Sequence, residues 1–168
     1  NPKTKMGFVD GPAGSMKTYI AVYAGLELIK QEQFNRMVYI RSVTESAERS
    51  LGSLPGEIDD KFSPYSIPLE EKVTEIADRG TYSMLKQKGV VEAIPVNFVR
   101  GLTFNKSLVI VDEAQNLSRK ELTTILTRFG RDSKYIVIGD CNQADVNKSG
   151  YKEIFNMFNS KQCTDNDI

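Results

Sequence analysis

The fold is decided by the stretch Gly11-Pro12-Ala13-Gly14-Ser15-Met16-Lys17-Thr18. It follows a short apolar run, Met6 to Asp10, which predicts a strand, and it opens a helical pattern from about Lys17 to Glu32. A loop of this kind between a strand and a helix is typical of the phosphate-binding pattern G-x-x-x-x-G-K-[ST], the Walker A motif. Its backbone N–H groups and the helix N-terminus attract phosphate oxygens, and its lysine adds a positive charge. We therefore expect all eight residues to bind a nucleotide, with Lys17 as a catalytic residue and the Thr18 hydroxyl as a ligand of Mg²⁺.

Met16 is the main departure from this pattern, because glycine is expected at its position. Glycine has no Cβ and lets the backbone approach the phosphates closely. Methionine can adopt the conformation of a helix start, so we expect the loop to form, while its fit to the phosphates and the rate of hydrolysis stay open. The alternative, a glycine turn without a ligand, is disfavoured because strand, loop, helix and the Lys-Thr pair come in the required order.

A second element is acidic and follows the unbroken apolar run Leu108 to Val111, which is typical of a buried parallel strand. The run continues directly into Asp112 and Glu113, the arrangement of a Walker B motif. We expect Asp112 to hold Mg²⁺ and Glu113 to orient and polarise the attacking water, since phosphoryl transfer depends mainly on positioning and charge stabilisation. A strand that merely ends in solvated acids is the alternative, and the phosphate loop upstream disfavours it.

A third element, Gly139-Asp140-Cys141-Asn142-Gln143, follows the buried run Tyr135 to Gly139. An amide at the carboxyl edge of a strand, beside the phosphates, can sense a γ-phosphate by hydrogen bonding. We therefore predict a catalytic role for Gln143, with a loop-capping amide as the alternative. Cys141 is interpreted as structural.

The rest of the chain alternates short apolar runs with helical patterns, which predicts an α/β fold with a mainly parallel sheet flanked by helices. The buried face of the first helix is expected to consist of Ile20, Ala21, Ala24 and Leu28. Glycines and prolines between Ser42 and Pro68 predict an irregular segment with room for one short helix. Further strands are predicted at Met37 to Arg41 and Val90 to Ile94, and further helices at Leu69 to Asp78, at Tyr82 to Lys88 up to a stop at Gly89, from Ser118 to a stop at Gly130, and at Tyr151 to Phe158.

Length and composition restrict what else is possible. The 168 residues suffice for one domain, which we place at 1–168 with a loose tail at 159–168. The absence of histidine excludes Ser-His-Asp and Cys-His nucleophile systems and histidine-ligated zinc. Lys plus Arg number 22 and Asp plus Glu number 22, and this zero net charge argues against a generally basic coat for nucleic acid. The missing initial methionine and the loose end suggest a fragment that lacks native N- and C-terminal residues.

The cellular setting follows from two further observations. Two cysteines are too few for a disulfide framework, so a reducing cytoplasm is expected. The sequence has no stretch of 18 apolar residues, which argues against a membrane span, and its start lacks the apolar core of a signal peptide.

Taken together, the motifs resemble the PhoH-like ATPases, which are similar to the first RecA-like domain of superfamily 1 helicases. The resemblance is carried by Gly11 to Thr18, by Asp112 to Asn116 and by Gly139 to Gln143, and it extends from about residue 6 to about residue 158. Segments similar to the family's S-L-G-x-L-P-G, R-G-x-T and L-T-R patterns are Ser50 to Gly56, Phe98 to Phe104 and Leu126 to Arg128. The resemblance implies a RecA-like P-loop NTPase that binds and hydrolyses ATP with Mg²⁺. It also implies links to RNA metabolism and a place in the cytoplasm of a bacterial or phage-infected cell.

NTPases of this kind often complete their site with an arginine from a neighbouring subunit. Arg128 is our first choice for this catalytic role and Arg131 the second, with Arg41 and Arg100 as alternatives. Each is equally compatible with a surface salt bridge. Because the chain has room for one RecA-like domain only, the resemblance implies a homo-oligomer such as a hexameric ring.

Contacts with RNA or single-stranded DNA are predicted in loops near the same edge of the sheet, because arginine contacts phosphates and an aromatic ring stacks on bases. The residues concerned are Arg41, Arg49, Arg100 and Phe104. Simple solvation of these loops is the alternative. Two functions therefore stay open, an ATPase that acts on RNA or single-stranded DNA and an ATP-binding switch or assembly subunit with slow turnover. A small-molecule kinase is disfavoured, because Glu113 and the G-D-x-x-Q segment suit water activation better than an acceptor pocket.

Overall fold

Five strands form one sheet in which every neighbouring pair is parallel. The structure is a computed structural model, and it describes residues 4–42, 58–143 and 149–161. The strands are β1 (Met6–Asp10), β2 (Arg36–Arg41), β3 (Val91–Pro95), β4 (Ser107–Asp112) and β5 (Lys134–Gly139). The helices are α1 (Lys17–Lys30), α2 (Ile58–Ile76), α3 (Arg79–Gln87), α4 (Arg119–Leu126) and α5 (Tyr151–Phe158). Short 3₁₀ turns follow β3 at Val96–Phe98 and β4 at Ala114–Asn116. The predicted α/β fold with a parallel sheet flanked by helices is confirmed.

The strand order is β1-β5-β4-β2-β3. β5 therefore lies between the strand that precedes the phosphate loop and the strand that ends in the two acids. Because the strands are parallel, their carboxyl ends meet at one edge of the sheet, which is where ligands bind in open α/β sheets. This order makes the three sequence motifs neighbours in space.

The core is built around β4, each of whose six residues is buried. Its alternate side chains feed two apolar clusters, one on each face of the sheet. Val109 and Val111 join the cluster that contains residues of α4 and α5. Ile110 joins the cluster that contains residues of α1, α2 and α3. A strand that is buried on both faces explains the unbroken apolar run in the sequence.

The buried face of α1 differs from the prediction. Ile20 is 59% exposed, whereas Ala21, Val22 and Gly25 are buried. A Cβ on Gly25 would lie 2.6 Å from the sulfur of Met37, so the helix approaches the sheet too closely for a larger residue there. Close packing therefore selects the small residues of α1 for its inner face and leaves Ile20 outside.

The segment predicted to be irregular also differs, as far as it is described. α2 begins at Ile58 and continues past Pro64 and Pro68, whereas the sequence predicted at most one short helix before Pro68 and a separate helix from Leu69. A buried stripe at a spacing of four residues runs along it and consists of Tyr65, Leu69 and Val73. Packing of this stripe supplies the stability that the prolines remove, since most helical stability in proteins comes from a buried face. Residues 43–57, which include Arg49 and the Ser50 to Gly56 segment, lie outside the described residues.

Two glycines predicted to stop helices have different roles. Gly89 follows the end of α3 with φ +67°, the left-handed conformation expected after a helix. Gly130 does not end α4, which already stops at Leu126. A Cβ on Gly130 would lie 2.2 Å from the carbonyl oxygen of Phe104, beside the β-bridge between Phe104 and Phe129. Gly130 is thus required by a close approach of two chain segments.

Among the helices of the described residues, none combines the length and hydropathy that a membrane span requires. The tail predicted at 159–168 begins directly after α5, and residues 162–168 lie outside the described part of the chain.

Candidate nucleotide-binding site

A cleft of about 300 Å³ opens at the carboxyl edge of the sheet, where β1, β4 and β5 end. All three sequence motifs contribute to it, and α2 forms a further wall. Its lining consists of Ala13, Gly14, Ser15, Met16, Lys17, Thr18, Tyr19, Lys72, Glu75, Asp112, Glu113, Gln115, Ile138, Gly139, Asp140 and Gln143. The predicted residues Lys17, Thr18, Asp112, Glu113 and Gln143 therefore come together in one place.

The phosphate loop is fixed at its start and folds around its lysine. The N–H of Gly11 donates to the carbonyl oxygen of Gly139 at 3.2 Å, which ties the loop to the end of β5. The Lys17 ammonium donates to the carbonyl oxygens of Gly11 and Pro12, both at 2.6 Å. The positive charge is thus held over the loop, beside the N-terminus of α1, where an anion is stabilised.

Met16 adopts the left-handed conformation, with φ +60° and ψ 15°, immediately before α1. The expectation that it takes a helix-start conformation is therefore wrong. Left-handed backbone costs an L-residue about 1–2 kcal/mol, whereas glycine adopts it freely. The loop keeps the backbone shape for which the pattern requires glycine, and the Met16 side chain is exposed at the rim of the cleft.

Asp112 is held from two sides. The Thr18 hydroxyl donates to its Oδ1 at 2.8 Å, and the Tyr39 hydroxyl donates to its Oδ2 at 2.5 Å. Burial raises the pKa of the Tyr39 phenol far above its ordinary value, and the Asp112 carboxylate raises it further. The phenol is therefore a proton donor at neutral pH, and both oxygens of this buried carboxylate are satisfied.

The donor set suits Mg²⁺. Thr18 and Asp112 offer two neighbouring oxygens, and no group of three or more His, Cys, Asp or Glu residues converges anywhere in the described residues. Mg²⁺ is bound by one or two protein oxygens together with substrate phosphates, and it keeps several waters. A site with two protein oxygens beside a phosphate loop fits that requirement.

Glu113 is fixed at the cleft by its backbone and by Gln115. Its φ is +52°, the left-handed region, at the junction between β4 and the 3₁₀ turn. Such strained conformations persist where the surroundings determine them, and they cluster at functional sites. The Gln115 amide donates to Oε2 of Glu113 at 2.6 Å and accepts the N–H of Asp140 at 3.2 Å. Gln115 thus links Glu113 to the end of β5.

The segment after β5 lines the cleft between the phosphate loop and the end of β4. Gln143 is exposed and lines the cleft, and its N–H donates to the carbonyl oxygen of Asp140 at 3.2 Å. The N–H of Cys141 donates to Oδ1 of Asp10 at 2.8 Å. Burial raises the pKa of the Cys141 thiol to about 11. The thiol is protonated at neutral pH, which agrees with a structural interpretation of this cysteine.

Sequence reasoning missed several residues of this site. Tyr39 lies in an apolar strand, where its hydroxyl was the only signal. Gln115 belongs to a quoted motif but had no assigned role. Lys72 and Glu75, which pair at 2.9 Å, come from α2. A helix was predicted over these two residues, but nothing in the sequence indicated that it lines the cleft.

Four other predicted residues, Arg41, Arg100, Phe104 and Arg128, do not line the cleft. Arg128 is at the opposite, amino-terminal edge of the sheet, where its carbonyl oxygen accepts the N–H of Phe104 just before β4. Arg41 ends β2, where the register pairs it with Asp112 of β4. Arg100 is exposed beyond β3. Phe104 is 1% exposed and belongs to the core, so its ring is not available to stack on a base.

Comparisons with known proteins agree with this geometry. The model of the family described as "PhoH-like protein" matches residues 2–166. A "PhoH-like protein" of Mycobacterium tuberculosis is 37% identical over 136 residues, which are 81% of this chain and 38% of that protein. A "PhoH-like protein" of Bacillus subtilis is 36% identical over 138 residues, 82% of this chain and 43% of that protein. "Protein PhoH" of Escherichia coli is 36% identical over 141 residues, which are 83% of this chain and 40% of that protein.

The chain therefore spans about two fifths of the length of these relatives. The match covers the phosphate loop, the acidic strand end and the segment after β5. The family's P-loop fold accounts for the parallel sheet and for a cleft suited to a nucleotide. The chain belongs to the PhoH-like family.

Proposed function

We propose that this chain binds ATP with Mg²⁺ and hydrolyses it, and that hydrolysis is coupled to RNA or single-stranded DNA. The observation that carries the proposal is the cleft, in which a phosphate loop, the Thr18–Asp112 oxygen pair and the Glu113 carboxylate meet. These groups come from two segments, residues 11–18 and 112–113, so their meeting depends on the strand order and not on local sequence.

Binding depends on the loop and on the oxygen pair. Backbone N–H groups of the loop and the Lys17 ammonium bind the phosphates, as charge-assisted hydrogen bonds. Thr18 and Asp112 hold Mg²⁺, which neutralises phosphate charge when it is bound.

Hydrolysis depends on a fixed carboxylate. Glu113 accepts a proton from the attacking water and orients it toward the γ-phosphate. Because Gln115 holds Glu113 and is itself held by the backbone of Asp140, the carboxylate needs little reorganisation when the water reacts. Gln143, in the segment after β5, donates its amide to the γ-phosphate and so distinguishes ATP from ADP.

The nucleic-acid contact is assigned to a groove of about 420 Å³ at the same edge of the sheet, which we call the basic groove. It is lined by Val96, Asn97, Arg100, Ser118, Lys120, Glu121 and Thr124. Arg100 and Lys120 are exposed cations. The acidic member, Glu121, accepts hydrogen bonds from Ser118 in the capping box of α4, so its charge is directed at the helix start. The groove therefore suits a phosphate backbone.

Phe98 supplies the aromatic surface that was assigned to Phe104 from sequence. It lies next to Asn97 in the 3₁₀ turn and is 54% exposed. In the sequence Phe98 stands two residues before Arg100. Aromatic rings that stack on bases, combined with cations that contact the backbone, bind single strands without sequence preference. Because the whole chain has no net charge, this local arrangement must carry the interaction.

A homo-oligomer completes the proposal. The family resemblance supports a ring such as a hexamer, and the position of Arg128 supports a role in trans. Arg128 lies at the amino-terminal edge of its own sheet, so only a neighbouring subunit's cleft is within its reach. Its Nε is buried and has no hydrogen-bond partner among the described residues. Mixing Lys17→Ala subunits with Arg128→Ala subunits should restore hydrolysis that neither has alone, whereas two inactive populations that stay inactive when mixed would refute the role in trans.

One observation favours the second function, an ATP-binding switch or assembly subunit with slow turnover. The left-handed Met16 places a side chain at the rim of the cleft, where glycine would leave the phosphates open to the backbone. Slow hydrolysis would result. Sedimentation with ADP and with ATP distinguishes the two, since a switch changes its mass with the nucleotide and gains no turnover from single strands.

The proposal is tested by measuring phosphate release from ATP with Mg²⁺, with EDTA, and with Mg²⁺ plus oligo-dT or oligo-U. Hydrolysis that requires Mg²⁺ and increases with single strands is expected. Hydrolysis that single strands do not increase would refute the coupling to nucleic acid. If no phosphate were released under any of these conditions, the proposed ATPase activity would be refuted. We also place the chain in the cytoplasm, on the strength of its few cysteines and its family.

A further inference from the structure

Tyr39 is a buried tyrosine that the proposed reaction does not use directly. It lies in the middle of β2, is 1% exposed and packs among residues of α1, α2 and β4. The register pairs Tyr39 with Ile110 and Arg41 with Asp112, so Tyr39 and Asp112 lie on the same face of the sheet. Its hydroxyl reaches along the strand to Oδ2 of Asp112 at 2.5 Å.

The hydroxyl is unnecessary for packing. The neighbouring positions in β2 are Val38 and Ile40, and phenylalanine would fill the same space as the tyrosine ring. Burying a hydroxyl costs free energy unless it finds a partner, and here the partner is the Asp112 carboxylate. A hydroxyl buried at this depth therefore indicates that Tyr39 has a functional role at Asp112.

That role concerns the second carboxylate oxygen of Asp112, Oδ2. Thr18 donates to Oδ1, and Tyr39 holds Oδ2, so the carboxylate plane is fixed between α1 and β2. Without Tyr39, Oδ2 would lose its donor in a buried place, and the carboxylate would be free to rotate about its bond to Cβ. The first turn of α1 and the end of β4 would then no longer present their oxygens together.

We propose that Tyr39 is a positioning residue for Mg²⁺, which fixes one oxygen of Asp112 so that the other is presented beside Thr18 to the cation bound with the nucleotide. The inference rests on the proposed function of the cleft. Groups that orient metal ligands in this way affect metal affinity by about 10–100-fold in characterised sites.

The test is the Mg²⁺ dependence of nucleotide binding in Tyr39→Phe, measured with a fluorescent ATP analogue and not through turnover. In EDTA, Tyr39→Phe should bind the analogue as tightly as the parent chain. With increasing Mg²⁺, the concentration that gives half of the Mg²⁺-dependent gain in affinity should rise about tenfold.

Tyr135→Phe is the matched control. Tyr135 is also a buried tyrosine of a sheet strand, but its hydroxyl has no hydrogen-bond partner among the described residues. Loss of that hydroxyl should leave the Mg²⁺ dependence unchanged. An equal shift in both variants would assign the effect to general loosening of the sheet and overturn the inference.

A double-mutant cycle with Asp112→Asn keeps the inference testable if Tyr39→Phe folds poorly. In Tyr39→Phe the buried Asp112 carboxylate lacks its hydrogen-bond donor, whereas the double variant Asp112→Asn/Tyr39→Phe no longer carries that negative charge. In the Asp112→Asn background, Tyr39→Phe should cause no further shift in Mg²⁺ dependence, since the two act on one oxygen. An additive shift would contradict the positioning role. A parent chain that binds no nucleotide would refute the proposed function, whereas Mg²⁺-dependent binding that Tyr39→Phe leaves unchanged would refute this inference alone.

Discussion

The nucleotide cleft and the basic groove lie at the same edge of one sheet, yet they are built differently. In the cleft, side chains from β2, β4 and α1 are joined by hydrogen bonds, as in the chain from Tyr39 through Asp112 to Thr18. In the basic groove, Arg100 and Lys120 point into solvent from a loop and from the first turn of α4. The register of the sheet fixes the first site, and exposed side chains form the second. We therefore expect substitutions in the cleft to be specific and severe, and those in the groove to be graded and dependent on salt.

The largest effect on ligand binding is expected from Lys17→Ala. Loss of charge-assisted contacts with the phosphates should weaken nucleotide binding by about 100-fold. Lys120→Ala is the matched control, because it removes a lysine from the basic groove and should leave nucleotide affinity unchanged. Titration with a fluorescent nucleotide measures both, and equal losses in the two variants would mean that the cleft and the groove are not separate sites.

Phe98→Ala should have the next largest effect, and on single-stranded nucleic acid only. Loss of a stacking ring should reduce affinity for oligo-dT or oligo-U about tenfold. Phe98→Trp should retain the affinity, since its ring also stacks. Fluorescence anisotropy at fixed salt measures this, and if Phe98→Ala binds like the parent chain, the exposed ring is not a contact.

Arg100→Gln is expected to have a weaker effect on the affinity for single strands, and the size of this effect should depend on the salt concentration. Each phosphate contact contributes about 1 to the slope of log affinity against log salt concentration, so the slope should decrease by about 1. The same anisotropy titration between low and moderate salt gives the slope. An unchanged slope would remove Arg100 from the interface.

The smallest effect is expected from Met16→Gly. Relief of the left-handed backbone, offset in part by the greater freedom of glycine in the unfolded chain, should stabilise the fold by about 1 kcal/mol. The melting temperature should rise by about 2–4 °C. Hydrolysis should also become faster, because the rim of the cleft loses a side chain.

Gly14→Ala tests the same argument in the opposite direction, because Gly14 has φ +77° in the same loop. It should lower the melting temperature by a similar amount. If Met16→Gly left both the melting temperature and the rate unchanged, the loop would be adapted to methionine.

The contrast between the two sites also explains what the sequence could predict. The strands were recognisable because β4 and β5 are buried runs, and the motifs at their carboxyl ends had to meet once the sheet was parallel. The cleft residues Lys17, Thr18, Asp112, Glu113 and Gln143 could therefore be chosen in advance. Tyr39 could not, because its contact with Asp112 depends on which strands are neighbours.

Three predictions from the sequence were wrong for a common physical reason. In each, tertiary packing overrides the local sequence pattern. Phe104 lies four residues after Arg100 in the sequence, but its β-bridge with Phe129 places it in the core. Prolines indicated an irregular segment, but buried Tyr65 and Val73 stabilise α2 through it. Ile20 is apolar but lies outside, because Gly25 sets the distance between α1 and the sheet.

The most direct test of the central claim, that Glu113 in this cleft activates water for ATP hydrolysis, is a single-turnover measurement on Glu113→Gln. Glutamine has the same size, so it separates the charge of the side chain from its shape. Nucleotide affinity, measured in the same preparation, should equal that of the parent chain. Hydrolysis of bound ATP should be slower by about 100–1,000-fold, the range for loss of one group that stabilises a transition state. Hydrolysis at the parent rate with unchanged affinity would contradict the role of Glu113 and the account of the cleft built on it.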